Sequence, residues 1–235
     1  MSLVLAFDCA VSGLGIAVVR DGAHLAGRAE GGRDQAARLL PAIETVLGEA
    51  GVGRRELSLI AVTIGPGSFT GVRVGLAAAR GLAVGLGVPL AGLATTSVLL
   101  AQATPSGRAV VAAIDSRLGD WFCAIAEGQD RGQDRGKGEP PPFVAAVPEL
   151  ALRLGGRACL VIGSGAQALV PQLVAAGIDA VAEEALPDPV IIARLAADAG
   201  AEAWRVRNER EGLPRPLYLR GVSITLPDGA RRTVD

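Results

Sequence analysis

Residues 60–83 constrain the fold more tightly than any other stretch. Ile60-Ala61-Val62-Thr63-Ile64 is a short apolar run with the character of a buried strand. It stops at Gly65-Pro66-Gly67, and Leu76-Ala77-Ala78-Ala79-Arg80-Gly81-Leu82-Ala83 continues as helix. Pro66 has no N–H for a sheet ladder, and Ser68 or Thr70 is placed to cap the first helical turn before Gly71. A glycine loop at a helix start reads either as a tight corner or as an anion cradle. The corner is the favoured reading. No Gly-Lys-Ser/Thr follows, and the glycine spacing is not that of a dinucleotide fingerprint.

The helix that follows carries only two charges between Gly71 and Gly87, Arg73 and Arg80, seven apart and so on one face. Gly71, Gly75 and Ala79 recur at four-residue spacing, and Gly81 and Gly85 follow. Each interior glycine costs about 1 kcal/mol against alanine, so another backbone is expected to approach closely. That backbone belongs either to the chain's own sheet or to a partner's helix.

Composition sets outer limits. With 235 residues and a net charge of −1, the chain suits two lobes and exerts no bulk pull on nucleic acid. Cys9, Cys123 and Cys159 are far apart in apolar runs, as expected of buried hydrophobes in a reducing cytosol. No basic-then-apolar leader opens the chain, and no uninterrupted apolar run approaches a membrane span, so a cytoplasmic protein is expected.

In chain order, Leu3 to Phe7, Gly13 to Val19 and Ala23 to Glu30 read as a three-strand meander. Asp8 stands at its first corner, and Asp21-Gly22 makes a hairpin turn. A helix follows from Gln35 to Ala50, with Asp34 as its cap and Pro41 expected to kink it or shift its start. Val88 to Gly92 is a strand, and Thr95 or Thr96 caps a short helix. The lobes are divided at Thr104, giving 1–104 and 105–235.

The second lobe restarts the pattern. Ala109 to Ile114 ends at Asp115, and Trp121 to Ala126 returns. Ala6-Phe7-Asp8 matches Ala113-Ile114-Asp115, which predicts an internal duplication with two corner aspartates facing one cleft. Gly128-Gln129-Asp130-Arg131 is repeated at once as Gly132 to Arg135 and reads as a polar loop. Phe143 to Ala146 is a strand and Pro148 to Leu154 a helix. Cys159 to Ala166 is strand, glycine loop and helix start, and Asp188 caps a helix that runs to Ala199. From Glu209 onward, prolines and arginines predict a solvated or docking tail.

The run Gly65-Pro66-Gly67-Ser68-Phe69-Thr70-Gly71-Val72-Arg73-Val74-Gly75 closely resembles the signature of the bacterial TsaB family, the YeaZ type. Arg38 to Pro41, Ala113 to Arg117, and Pro216-Leu217-Tyr218-Leu219-Arg220 resemble further family segments in the same order. The resemblance implies an α/β, two-lobed actin/Hsp70-like (ASKHA, ribonuclease H-like) fold with duplicated β-hairpin-plus-helix units. It implies a role in making threonylcarbamoyladenosine beside the tRNA anticodon, as a non-catalytic scaffold for the catalytic paralogue TsaD, with the ATPase TsaE assisting. It also implies a docking surface on the first helix and the glycine-rich helix, used with TsaD or with a second copy of the chain. Arg38, Leu39 and Ile43 are its expected residues on the first helix. On the second they are Arg73, Gly75, Ala78, Ala79 and Arg80. Leucine at Gly75 or Ala79 is then expected to abolish assembly and spare the monomer.

The chemical inventory is thin. A degenerate nucleotide site is expected at the lobe junction, from Asp8, Ser12, Asp115, Gly163 and Gly165, with weak ATP or ADP and magnesium at most. Cys9-Ala10-Val11 after Asp8 offers no side-chain hydroxyl for phosphate. The chain has one histidine, His24, so neither a His-x-x-x-His metal site nor a Ser-His-Asp set can be assembled. No catalytic residue and no metal ligand is expected. The alternatives are an ASKHA-class phosphotransferase or ATPase using Asp8 and Asp115, and a metallopeptidase.

Overall fold

Alternation along the first strand explains the first lobe. In the computed structural model, which describes residues 2–32, 34–127, 140–220, 222–225 and 231–234, β1 (Leu3–Asp8) is buried on both faces. Leu3, Leu5 and Phe7 point one way, and Val4 and Ala6 the other. β2 (Leu14–Arg20) and β3 (Ala23–Glu30) complete the antiparallel meander, and β4 (Leu59–Thr63) and β5 (Leu90–Leu93) add in parallel, giving the order β3-β2-β1-β4-β5. Asp21 and Gly22 make the β2–β3 turn with φ of 47° and 82°, the geometry a tight hairpin needs.

The second sheet repeats the topology. β6 (Ala109–Asp115), β7 (Trp121–Ala126) and β8 (Phe143–Ala145) form its meander, and β9 (Cys159–Ile162) and β10 (Ala180–Glu183) its parallel part. The order is β10-β9-β6-β7-β8. Two sheets of one topology, one after the other in the chain, are the duplicated two-lobed ASKHA architecture.

Helices complete each layer, and three of them change lobes. α1 (Gln35–Glu49) and α2 (Phe69–Leu86) cover the Leu3-Leu5-Phe7 face of the first sheet. α4 (Val147–Leu154) and α5 (Ala166–Ala175) cover the corresponding face of the second. α3 (Thr95–Gln102) packs Leu99 and Leu100 on the second sheet. α6 (Pro189–Ala199) and α7 (Ala201–Glu211) return to the first, where Ile192, Ala193, Ala196 and Trp204 meet Val4, Ala6, Ala61 and Leu93. A division into 1–104 and 105–235 therefore separates the sheets but not the packed lobes, because each sheet's inner face is covered by a helix from the other half of the chain.

Several local expectations need correction. Asp34 precedes α1 in a left-handed conformation without capping it, and the helix begins at Gln35, well ahead of Pro41. Thr95 and Thr96 do not cap α3. Ala94 is its N-cap residue, and both threonine hydroxyls are buried without a partner among the described residues. Asp188 does cap α6, accepting from the Val190 amide at 2.8 Å. α2, 18 residues with a mean hydropathy of 1.3, is long and apolar enough by composition to cross a membrane. Here Val72, Gly75, Leu76, Ala79 and Ala83 bury one side of it against the sheet.

The tail is a strap. α7 continues past Glu209 to Glu211, and Asn208 closes the open edge of β5 by accepting from the Leu90 amide and donating to its carbonyl, at 2.8 and 3.0 Å. The chain then runs back over the first lobe. The Leu217 amide donates to the Ile64 carbonyl at 2.8 Å, and Arg80 donates to the carbonyls of Leu213 and Pro214. β11 (Val222–Thr225) and β12 (Arg231–Val234) pair as a hairpin beyond it. The Gly128–Arg135 repeat lies outside the described residues.

Candidate functional site

The glycine corner is built for close packing. The Ser68 hydroxyl caps α2 by accepting from the Gly71 amide at 3.2 Å. A Cβ on Gly71 would lie 1.9 Å from the Cys9 carbonyl oxygen, and one on Gly67 would lie 2.2 Å from that of Ala10. These glycines thus let the chain after β1 lie directly on the start of α2. Gly65 joins cis to Pro66, and its carbonyl accepts from the Thr95 amide at 2.8 Å.

On the other side of the same turn is a polar cleft of about 600 Å³ between the lobes. Ser12, Asp34, Gln35, Ser68 and Thr70 line it from the first lobe, and Arg117 reaches it from the β6–β7 hairpin. Arg117 adopts φ 60°, and its amide is held at 2.7 Å by Asp115. It stands in the motif Ala113 to Arg117, but nothing in the residue pattern marks it as the group that crosses to the other lobe.

Asp8 is closed to this cleft. It is 3% exposed, and its Oδ1 accepts from the Thr63 hydroxyl and, at 3.1 Å, from the Ala10 amide. Burial pushes its carboxyl up to about 6, with those hydrogen bonds drawing it back. Asp115 is exposed and does not face Asp8. Val110, Ala112 and Ile114 face α3 as Val4, Ala6 and Asp8 face α6, so the β6 residue on the face of Asp8 is the buried Ile114. Matching Ala6-Phe7-Asp8 to Ala113-Ile114-Asp115 slips the register by one residue, which reverses every side chain. Asp8 therefore shares its face with Val4 and Ala6, toward α6. Asp115 follows Ala109, Val111 and Ala113, toward α4 and α5.

The remaining predicted cofactor residues divide. Ser12 is in the cleft. Gly163 and Gly165 are a packing corner, because a Cβ on Gly163 would lie 2.4 Å from the Ala113 carbonyl and one on Gly165 would lie 2.8 Å from the Trp121 ring. The thiols are no better placed for chemistry. Burial pushes Cys9 and Cys123 up to about 12 and Cys159 to about 11. Among the described residues no three of His, Cys, Asp and Glu are gathered as a metal would require.

The predicted docking residues are corrected in the same way. Leu39, Ile43, Gly75 and Ala79 face the chain's own core, with Gly75 against Cys9 and Val62, and Ala78 packs on that core from the half-buried flank. Arg80 is committed to the strap. Arg38 pairs with Glu30. Arg73 donates to the Tyr218 hydroxyl at 2.7 Å, with its guanidinium 3.4 Å from the Phe69 ring centroid. The outer surface of the two helices carries other residues: Ala37, Leu40 and Pro41 on α1, and Ala77, Gly81, Val84 and Gly85 on α2.

Residues 29–133 match the family TsaD: tRNA N6-adenosine threonylcarbamoyltransferase. The Escherichia coli tRNA threonylcarbamoyladenosine biosynthesis protein TsaB is 34% identical over 131 residues, 55% of this chain and 57% of that protein. YeaZ from Pseudomonas aeruginosa superimposes with a TM-score of 0.71 at 26% identity, over 93% of this chain and all of that one. A second Pseudomonas aeruginosa structure, described as similar to peptidase YEAZ, gives 0.75 at 27% identity over 94% of this chain and all of that one. The chain is similar to TsaB/YeaZ-type proteins in both sequence and fold. It spans little more than half the length of the curated relatives it matches. The glycine corner and α2 fall within the matched TsaD region, so the corner, the α1–α2 layer and the β6–β7 hairpin are the part shared with the transferase family. The strap lies outside it.

Proposed function

We propose that the chain serves tRNA threonylcarbamoyladenosine biosynthesis as a non-catalytic cytoplasmic subunit that docks a TsaD-type paralogue through the outer face of α1 and α2. The similarity to TsaB proteins of tRNA threonylcarbamoyladenosine biosynthesis supports the pathway. The observation that carries the subunit role is the state of the cleft. Asp8, at the end of β1, is buried and bonded to Thr63 rather than open to the cleft, and Asp115, at the end of β6, turns toward α4 and α5. In this reading any ATP or ADP, with magnesium, is held weakly at the polar cleft or at the complex interface. A TsaE-type ATPase and tRNA join through the assembled complex.

The docking face is supported by its composition. Leu40 is 51% exposed and Val84 71%, and added Cβ atoms at Gly81 and Gly85 would meet open space. Small residues on an exposed helix face permit close approach of another helix, and the same face would serve a homodimer when the chain is alone.

Light scattering on the chain alone and mixed with TsaD from the same cell tests this. A one-to-one complex that displaces any self-dimer, and is lost in Gly81→Glu, is expected. No complex well above micromolar concentration with nucleotide present would overturn the reading and return attention to an independent ATPase or phosphotransferase.

A further inference from the structure

We propose that the aromatic-walled groove under the strap is a docking site for an acidic segment of a partner protein, which inserts one bulky apolar side chain. The groove is separate from the α1–α2 face and does not depend on the function proposed above. It encloses about 440 Å³ between Pro66, Phe69, Leu118, Phe122, Leu217 and Tyr218, enough for one large side chain and its neighbours.

Its walls are held in place. The Leu217 amide is fixed on Ile64, the Phe69 and Tyr218 rings lie with centroids 5.7 Å apart, and Arg73 stacks on the first while donating to the hydroxyl of the second. Arg220 pairs with Asp120, which also accepts from the Ser116 hydroxyl, so the strap and the hairpin are tied together. That hairpin presents Leu118, 74% exposed. Its turn is set by Asp115 on the Arg117 amide at 2.7 Å and by Ser116 on the Leu118 amide at 3.2 Å. Nothing in the turn requires an apolar residue, and a hairpin tip ordinarily carries a polar one. Phe69 and Tyr218 are 45% and 42% exposed beside it.

Charge selects the occupant. Arg73 on the groove wall and Arg117, which precedes Leu118 and reaches the adjoining polar cleft, have no ion pair among the described residues, and Asp120 is already matched by Arg220. Asp115 lies on the other side of β6. The rim is thus cationic on a chain whose net charge is −1. Aromatic rings and arginine around a central pocket are the composition of a protein–protein anchor point. A nucleic-acid strand would call for more phosphate-neutralising cations than two.

Panning a displayed random-peptide library on the full chain, with counter-selection on Leu118→Ser, tests the assignment. Leu118 is at an exposed tip, so the variant is expected to keep its melting temperature. The expected consensus places Leu, Phe or Trp beside Asp or Glu. A synthetic peptide of that consensus should bind at least tenfold more weakly to Leu118→Ser and to Arg117→Glu. A consensus without acid, no sequence surviving counter-selection, or equal binding to both variants would overturn it. So would self-association of the wild type abolished by Leu118→Ser, which would give the groove to a second copy.

Discussion

Asp8→Asn separates a buried structural carboxyl from a ligand-ready one. Folding raises the Asp8 carboxyl from its ordinary 3.8 to about 6, chiefly through burial. The folded chain therefore holds this proton more tightly than the unfolded chain. The sign follows: the group's contribution to stability is complete below pH 3.8 and is lost as pH rises to about 6. At about 1.4 kcal/mol per pH unit, the loss between pH 4 and pH 7.5 is about 2–3 kcal/mol. Glu30 and Asp179, held below the ordinary carboxylate range by hydrogen bonds from arginine, act in the opposite sense and lose their contribution as pH falls. They are present in both proteins and cancel in the difference. An asparagine Oδ1 still accepts from Thr63 and Ala10, so any packing offset is constant with pH. Urea titrations of both proteins at pH 4, 5, 6 and 7.5 should show the variant gaining about 2–3 kcal/mol on the wild type across that range. A difference that stays flat within about 1 kcal/mol would mean that Asp8 titrates near 3.8 as a solvated carboxylate. That would refute the closed-cleft argument and make magnesium coordination at Asp8 tenable.

Three further outcomes follow from the helices and the strap. Leucine at Gly75 or Ala79 should destabilise the monomer by about 1–3 kcal/mol in chemical denaturation, because it overpacks a core site. Unchanged stability would restore Gly75 and Ala79 to an interface. Gly81→Glu should do the reverse, raising monomer stability by a few tenths to about 1 kcal/mol through helix propensity while removing the TsaD complex in light scattering. Arg80→Ala frees the Leu213 and Pro214 carbonyls, and should lower stability by about 1–3 kcal/mol and open the strap to proteolysis near Gly212. An unaltered digestion pattern would show that the strap is held by other contacts.

The strands were legible because β1, β2, β4 and β6 are apolar runs ended by Asp or Gly, and turn chemistry such as Asp21-Gly22 fixes their ends. The duplication was legible too, but its register was not. Three residues ending in aspartate occur in both hairpins, and only the faces they share, Val4 and Ala6 with α6 but Val111 and Ala113 with α4 and α5, show that the second set is displaced by one. β10 was missed because Ala180-Val181-Ala182-Glu183 is a short edge strand with exposed residues. The lobe exchange of α3 and α6 is invisible in sequence, since an apolar helix carries no label for the sheet it covers. Arg73 and Arg80 were seen as a pair on one face. Their partner is a segment more than 130 residues away, and no local pattern links a helix arginine to the carbonyls of a proline-rich tail.

The two faces of α2 were conflated because small residues mean different things on each. Gly71 and Gly75 are accounted for inside the chain, where a side chain would collide with the Cys9 carbonyl or crowd Cys9 and Val62. Their helix-propensity cost, about 1 kcal/mol each, is offset by the packing of β1's end on the helix. Gly81 and Gly85 have no such account, because a Cβ there meets nothing. Alanine at either would strengthen the monomer's helix at no steric cost. A destabilising choice made twice on one exposed face, beside Ala77 and Val84, has its compensation outside the monomer. The face that the corner glycines exclude from docking is therefore the one that holds α2 rigid, and the opposite face is left to receive a helix of another chain.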